Sequence, residues 1–509
     1  MAVDAERGKF HINVIEPSDI GVLWSAQSYR SEVTAAIRKI KSMRWMPLQK
    51  LVVNLISPGP HPAYGGDYPC LKTKNVQDLL ADLEPADYAD VSGYDDVQEL
   101  QVQYADLLIN LTGAGSIGRV SIYYGQQRPI TNQHVAKMSV LDGTDEGYLA
   151  AFLRSYWGER CLEQGVAGTT GQINMVNDHV RSVPVPVIDS DAQRYIGNKV
   201  RQAERLRAWA KSMEYAFLSD LTGAYPEAFA NRKGSNKHTR IAANDIVYTL
   251  NPGAFEEERL RVQRYLTTHG GAHLKTIATV GGSTTNDYAP ESAYIGLDVI
   301  ASNSCELKVE TISGAGTSGS SRLLPEGPIV SKLRPYLNKV SYVPGWLAGA
   351  VGSTELLCVQ PKANLSGWYL YGVLKSEATL KQLRPLASGA THPRIDQADL
   401  LHLVVPMHPD HERLGALLDD AQTAYFNAGY LTTTAKLLVE AIIEGQLTES
   451  DLIAAQQALE AGDDGPDQAI LARLTPDGLD GSGAPLFPDL DRLATLLARA
   501  ASEAAGDAD

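Results

Sequence analysis

At 509 residues the chain is several times the roughly 150 residues of a typical domain, which excludes a single small module. Apolar runs such as LLHLVV before Pro406 fall far short of the roughly 20 residues of a membrane span, and the opening MAVDAERGKF lacks the apolar core of a leader peptide, so a soluble, cytoplasmic protein with no membrane partner is expected. The net charge of −15 argues at first against a nucleic-acid ligand, but it is unevenly spread: Asp451 to Asp509 holds 12 acidic residues against three arginines.

In chain order, SEVTAAIRKI from Ser31 reads as a helix and LVVNLI from Leu51 as a strand. Val33 to Gly66 contains Arg38, Lys39, Lys41, Arg44 and Lys50 and no acid. YPCL at Tyr68 runs into a loop bearing Lys72, Lys74 and Asn75. Next, Gly113-Ala114-Gly115-Ser116-Ile117-Gly118 fits G-x-G-x-x-G. A dinucleotide fingerprint must open a helix, whereas RVSIYY from Arg119 alternates like a strand, so the glycines should shape a tight turn between strands. Leu107 to Leu141 is again acid-free, with Arg119, Arg128 and Lys137. EGYLAAFLRS at Glu146 reads as a helix. From Ile196 the apolar series Ile196, Val200, Ala203, Leu206, Ala210, Met213, Phe217 marks one stripe of a long helix, which Asp189 or Ser190 can cap. Its outer charges (Lys199, Arg201, Arg205, Arg207, Lys211) should meet solvent or a partner.

The later half offers strands in GPIVSKL at Gly327, VSYV at Val340 and ELLCVQP at Glu355, and a helix in GWYLYGVLKS at Gly367. Its acid-free windows are Arg259 to Asn286 and Gly327 to Thr354, the latter with Lys332, Arg334 and Lys339; His392 and Arg394 follow on a loop. Windows of this kind can attract phosphate on an acidic protein. Asp298 with Glu306-Leu307-Lys308 resembles the D...ExK set of magnesium-dependent nucleases, but its counterpart YPCLKTKNVQ has no carboxylate pair, and a surface strand explains ELKVE more simply. His402, His408 and His411 have no ligand spacing, and no Ser/His/Asp order, GxxxxGK[ST] loop or N/D-P-P-Y/F tetrapeptide occurs. The series Leu414, Leu417, Ala421, Ala424, Ala428, Leu431, Ala435, Leu438, Ile442 is a coiled-coil seam that Gly445 can end. Beyond Glu449 the Ala, Asp and Gly content predicts a partly disordered tail with one short stripe, Leu490, Leu493, Leu496 and Leu497. Cys70, Cys161, Cys305 and Cys358 lack metal or disulfide spacing and are expected in the core.

The chain also repeats itself. Gly147 to Ser155 (GYLAAFLRS) returns 221 positions later as WYLYGVLKS, and Ala167-Gly168-Thr169-Thr170 falls on Ser388-Gly389-Ala390-Thr391. Thr131-Asn132-Gln133 falls on Gly352-Ser353-Thr354 at the same offset. At 220, Arg119-Val120-Ser121 meets Lys339-Val340-Ser341 and Val185-Pro186 meets Val405-Pro406. This period is too long for a solenoid unit and predicts two domains of one α/β (α+β) fold, each followed by a long helix. Paired antiparallel, the helices would form a rod of about 40 Å at 1.5 Å per residue.

With these features the chain resembles the specificity (S) subunits of type I restriction-modification enzymes over residues 1 to about 448. The resemblance is carried by LTGAGSIGRVSIYY...ITNQHVAKM, GPIVSKLRPYLNKVSYV...GSTELLCVQP...YLYGVLKS...SGATHPRIDQADLLHLVVPMHP and the closing LLVEAIIEGQLTESDL. It implies target-recognition domains at 1–187 and 225–408, a central helix at 188–224, a distal helix at 409–448 pairing with it as an antiparallel coiled coil, and an acidic tail at 449–509. It further implies a non-catalytic subunit without cofactors that reads a split site in double-stranded DNA, recruits DNA adenine methyltransferase subunits, two in number, and serves an ATP-dependent restriction subunit. DNA contacts are then expected from Lys72, Lys74, Asn75, Arg119, Arg128, Lys332, Arg334, Lys339, His392 and Arg394, and partner contacts from Arg205, Arg207, Leu490, Leu493 and Leu497. The competing readings are an S-like subunit of another phage-defence methyltransferase, a stand-alone magnesium nuclease, and a scaffold that does not touch DNA.

Overall fold

A computed structural model describes residues 13–17, 20, 21, 23–168, 173–231, 240, 241, 246, 248–362 and 364–506. The opening decapeptide and the Thr169-Thr170 part of the repeat lie outside them. The described residues divide into two compact units, one from Met1–Arg205 with Asn427–Leu497, the other from Leu206–Phe426 with Ala498–Asp509.

In the first unit, β-branched and leucine-rich stretches build a four-stranded antiparallel sheet in the order Ser57–Pro58, Val135–Met138, Asp106–Asn110, Val120–Tyr123. The second unit repeats it as Ala278–Gly281, Leu356–Pro361, Gly327–Ser331, Val340–Val343. The register repeats too. Leu108 faces Ser121 and Lys137, and Ile329, 221 positions on, faces Ser341 and Cys358. Both residues are fully buried, each burial contributing about 1.5–3 kcal/mol. A smaller sheet stands beside each, with one parallel pair in common: Cys70 pairs with Ile130 in the first unit and Tyr294 with Val351 in the second.

Helices close the repeat. Glu146–Arg154 and Gly367–Lys375 start from Asp145 and Ser366, whose side chains accept from the Tyr148 and Tyr369 amides. Those tyrosines then donate through their hydroxyls to the carbonyls of Pro186 (2.7 Å) and Pro406 (3.0 Å). Each hydroxyl thereby pins its helix to the chain just before a long helix, Ser190–Ala224 in one case and His411–Glu444 in the other. The first long helix is capped by Asp189, whose carboxylate accepts from the Asp191 amide at 2.8 Å. The second ends at Gly445, which takes the left-handed conformation (φ 81°) while the Gln446 amide turns back to the Ala441 carbonyl. Ile196, Val200, Ala203, Leu206 and Ala210 are fully buried, as are Leu414, Ala421, Ala424, Leu431, Ala435 and Leu438. Within the second unit the two helices run antiparallel: Glu214 meets Tyr425 at 2.8 Å and Asp220 meets Arg413 at 2.7 Å. All four cysteines are buried and free.

Two expectations are corrected. Lys199 is not a solvated outer charge: its side chain is 1% exposed and bonded to Asp467, to which the Tyr195 hydroxyl also donates. Arg201 likewise turns inward to Asp145 (2.9 Å) and Glu146 (2.8 Å). The chain after Glu449 is also not a loose tail over its described length. Thr448 and Asp451 form a capping box for the helix Glu449–Glu460. Gly465–Leu471 and Leu490–Gly506 follow as further helices. Leu452, Ile470, Leu471, Leu474, Leu493 and Leu496 are buried, enough apolar surface to offset the acidic composition.

Candidate nucleic-acid interface

The hairpin that joins a central strand of each large sheet to its edge strand carries the largest group of expected DNA contacts. In the first unit it is the glycine turn. Asp106–Asn110 enters and Val120–Tyr123 leaves antiparallel, so the G-x-G-x-x-G stretch joins two strands and opens no helix. Gly113 and Gly118 hold φ of 105° and 78°, conformations that side chains resist. Arg119 closes the turn, its carbonyl accepting from the Asn110 amide at 2.9 Å. Its half-exposed side chain lines a cavity of about 160 Å³ with Arg154, Glu159 and Glu163. Beside the hairpin, the Asn110 side chain donates to the Thr73 carbonyl, which ties in the turn carrying Lys72 and Lys74. Both lysines converge on Asp87, at 3.1 and 2.6 Å, and Lys72 also lies 3.7 Å over the ring of the exposed Tyr64. Their ammonium groups hold the Asp87 carboxyl below its usual range, the Lys74 hydrogen bond foremost. Arg128 is exposed, its carbonyl taken by the Tyr68 hydroxyl at 3.1 Å.

Asn75 does not belong with these residues. It is 3% exposed and its amide group donates to the carbonyls of Asp82 and Leu83 while accepting from the Lys72 amide. A side chain so engaged, both amide hydrogens used and the group buried, builds the turn and does not present itself to a ligand.

In the second unit the corresponding hairpin spans Lys332 to Lys339. Arg334 and Asn338 adopt left-handed φ of 47° and 53°, bracketing a short 3-10 turn, Pro335–Leu337. The loop containing His392 and Arg394 lies alongside: Leu333 bridges Arg394, and the Arg334 amide donates to the Pro393 carbonyl at 2.7 Å. Lys332, Arg334, His392 and Arg394 thus share one edge of the unit. Glu355 is set among them, gripped by Arg394 at 2.9 Å. That guanidinium's hydrogen bond, with smaller help from Lys332 and His392, lowers the Glu355 carboxyl. Arg334 keeps its Nε buried without a hydrogen-bond partner.

Lys339 is different. Its ammonium donates to the Ile300 carbonyl at 2.5 Å and burial lowers its pKa, so it staples a neighbouring loop and is half-buried. Among the expected partner contacts, Arg205 is exposed and Arg207 half-buried. Leu493 is buried, with Leu490 and Leu497 half-buried, so much of this stripe is spent inside the chain. The sequence reading missed Glu355, which competes with any anion for Arg394, and the exposed Tyr336 and Leu337 at the hairpin tip. The nuclease-like Glu306 pairs with Lys308 at 3.8 Å, and among the described residues no group of three His, Cys, Asp or Glu is arranged to hold a metal ion. Nor, among those residues, is any helix long and apolar enough to cross a membrane.

No family model and no curated protein matches the chain. Three solved structures are similar at low identity. The S subunit of a type I restriction-modification system from M. genitalium is 12% identical, covers 81% of this chain and 96% of its own, with a TM-score of 0.36. The HsdS subunit from Thermoanaerobacter tengcongensis is 11% identical, with 79% and 97% covered and a TM-score of 0.27. A chain from a study of assembly and conformational transition in the type I R-M system is 13% identical, with 81% and 97% covered and a TM-score of 0.25.

Proposed function

We propose that the chain is the sequence-reading subunit of a type I-like restriction-modification enzyme: each unit reads one half of a split DNA site, and the long helices dock DNA adenine methyltransferase subunits. The observation that carries this reading is the duplication. Two sheets of one topology and register each present a hairpin whose edge bears cations, on an otherwise acidic protein. Two copies of one reader suit two half-sites, and cations at a loop edge suit phosphate, which positions a reader while neighbouring side chains meet base edges. Methyl transfer and ATP-driven cleavage then belong to partner chains.

The test is the methylome of a host expressing this chain with its methyltransferase, compared with the methyltransferase alone. The expected result is a new methylated motif of two short specified blocks separated by an unread spacer. An unchanged methylome overturns the proposal. DNA cleavage by the purified chain with Mg²⁺ supports the nuclease reading in its place.

A further inference from the structure

The two hairpins join corresponding strands and differ in what they show to solvent. At an offset of 221, Gly113 falls on Arg334; at 220, Gly118 falls on Asn338. All four have positive φ, while the first turn is one residue longer and holds a further left-handed glycine, Gly115. Between these points the first unit has four residues, of which Ala114, Gly115 and Ser116 are small and partly or fully exposed and Ile117 is buried, whereas the second has three, Pro335, Tyr336 and Leu337, the last two exposed.

That tip is stiff. Proline fixes its first φ, the Leu337 and Asn338 amides donate back to the Arg334 and Pro335 carbonyls at 2.8 and 3.0 Å, and the Asn338 side chain anchors the exit to the Lys375 carbonyl at 2.8 Å. Tyr336 and Leu337 nevertheless stand 45% and 42% exposed. The window Gly327 to Thr354 around them has no acidic residue, and Lys332, Arg334, His392 and Arg394 share their edge. Glu355, paired with Arg394, is the one carboxylate set among Lys332, Arg334 and Arg394, and an apolar tip beside an edge with this excess of cations is complementary to one class of surface, a polyanion with flat apolar faces inside it.

We propose that Tyr336 and Leu337 form a wedge that enters a DNA groove and packs against the base stack of one half-site, kinking the duplex there. The first unit, whose Ile117 is turned inward and which exposes only glycine, alanine and serine at that place, lets its backbone approach an undistorted duplex. The inference rests on the proposed function and concerns how the second unit meets its half-site. Wedges of this kind exchange base stacking for apolar contact and bend the DNA, while the surrounding cations hold the phosphates on either side.

The experiment uses the full chain and duplexes that the wild-type chain selects from a randomised pool, labelled at both ends for energy transfer. Y336A with L337A is expected to weaken binding about tenfold, the scale of losing one stacked base. It should leave the salt slope unchanged and restore the end-to-end distance of free DNA, while Y336F keeps both affinity and bend. If Y336A with L337A binds and bends like wild type, the wedge is wrong although the DNA-reading function stands. The same holds if that variant loses only co-purification with a methyltransferase, which would make the tip a protein dock. If the wild-type chain selects no duplex, the proposed function and the wedge fall together.

Discussion

Glu214 on the first long helix accepts a hydrogen bond from the Tyr425 hydroxyl on the second at 2.8 Å, and a further one from the Cys305 amide. One buried carboxyl thus fastens both helices to the loop before Glu306. Burial is the leading influence on it and raises its pKa, against the lowering effect of those two donors. A raised carboxyl is tolerated best when protonated, so its contribution is complete below the usual glutamate value of about 4.3 and declines as pH rises through the raised one. Glu214→Gln should flatten that decline in urea melts across this range. Tyr425→Phe, which strips a donor from the carboxylate, should cost about 1–3 kcal/mol at neutral pH.

Asp78 should show the opposite pH dependence. Burial pushes it up, but the Lys436 ammonium at 3.0 Å and the Arg154 guanidinium outweigh that and bring it to about 2. A lowered carboxyl stabilises above its ordinary pKa of about 3.9 and loses that contribution as pH falls through the lowered value. Since the Asp78 side chain remains 46% exposed, water screens the pair and its worth is about 1 kcal/mol or less. Asp78→Asn should therefore lower stability modestly at pH 7 and make no difference below about pH 2, as read by thermal melts at the two ends.

Charge reversal at Lys332 with Arg334 should weaken DNA binding for every sequence and reduce the salt slope by about 0.9 for every phosphate that is no longer neutralised. Arg119 with Arg128 should do the same from the first unit. Binding isotherms at several salt concentrations check this, and an unchanged slope removes those residues from the footprint. Glu355→Gln should act in the other direction: it releases Arg394 from its 2.9 Å pair and should steepen the slope by about 0.9, the share of one further neutralised phosphate.

Removing the partner of Lys199 should be severe. With its ammonium 1% exposed, Asp467→Ala leaves a buried charge unpaired, at a cost of about 3–5 kcal/mol. Truncation after Ser450 removes Asp467 as well and should lower the melting temperature of the first unit, with no partner protein needed to see it.

The duplication was legible in the chain because the residues that repeat, Leu149 with Leu370 or Tyr148 with Tyr369, are those the fold buries or pins in both copies. The long helices were legible for the same reason, since a buried stripe must recur every three or four positions. Their polar exceptions were not. Lys199 has the spacing of an outer charge, and only the fold reveals Asp467 brought back from 268 positions away. Among the candidate site residues, the Lys332 and Arg334 hairpin was singled out by its lack of acid, and the fold sets the His392 and Arg394 loop beside it. Asn75 was misread because a loop asparagine gives no sign in sequence of whether backbone or ligand uses its amide. Glu355 was missed because it follows an acid-free window and attracts notice only when Arg394 is seen to hold it.

The first unit is assembled from two stretches of chain, Met1–Arg205 and Asn427–Leu497, with the whole of Leu206–Phe426 between them. Its closing contacts, Lys436 on Asp78 and Asp467 on Lys199, come from the later stretch. During synthesis at roughly 5–20 residues per second, the first unit must wait many seconds with its helix face uncovered, while most of the second unit is made and can fold. The main body of the second unit can therefore fold before the first unit is closed, although its own last stretch, Ala498–Asp509, is made after both. A ribosome stalled once Phe426 has just emerged would hold the main body of the second unit complete and the first unit unfinished.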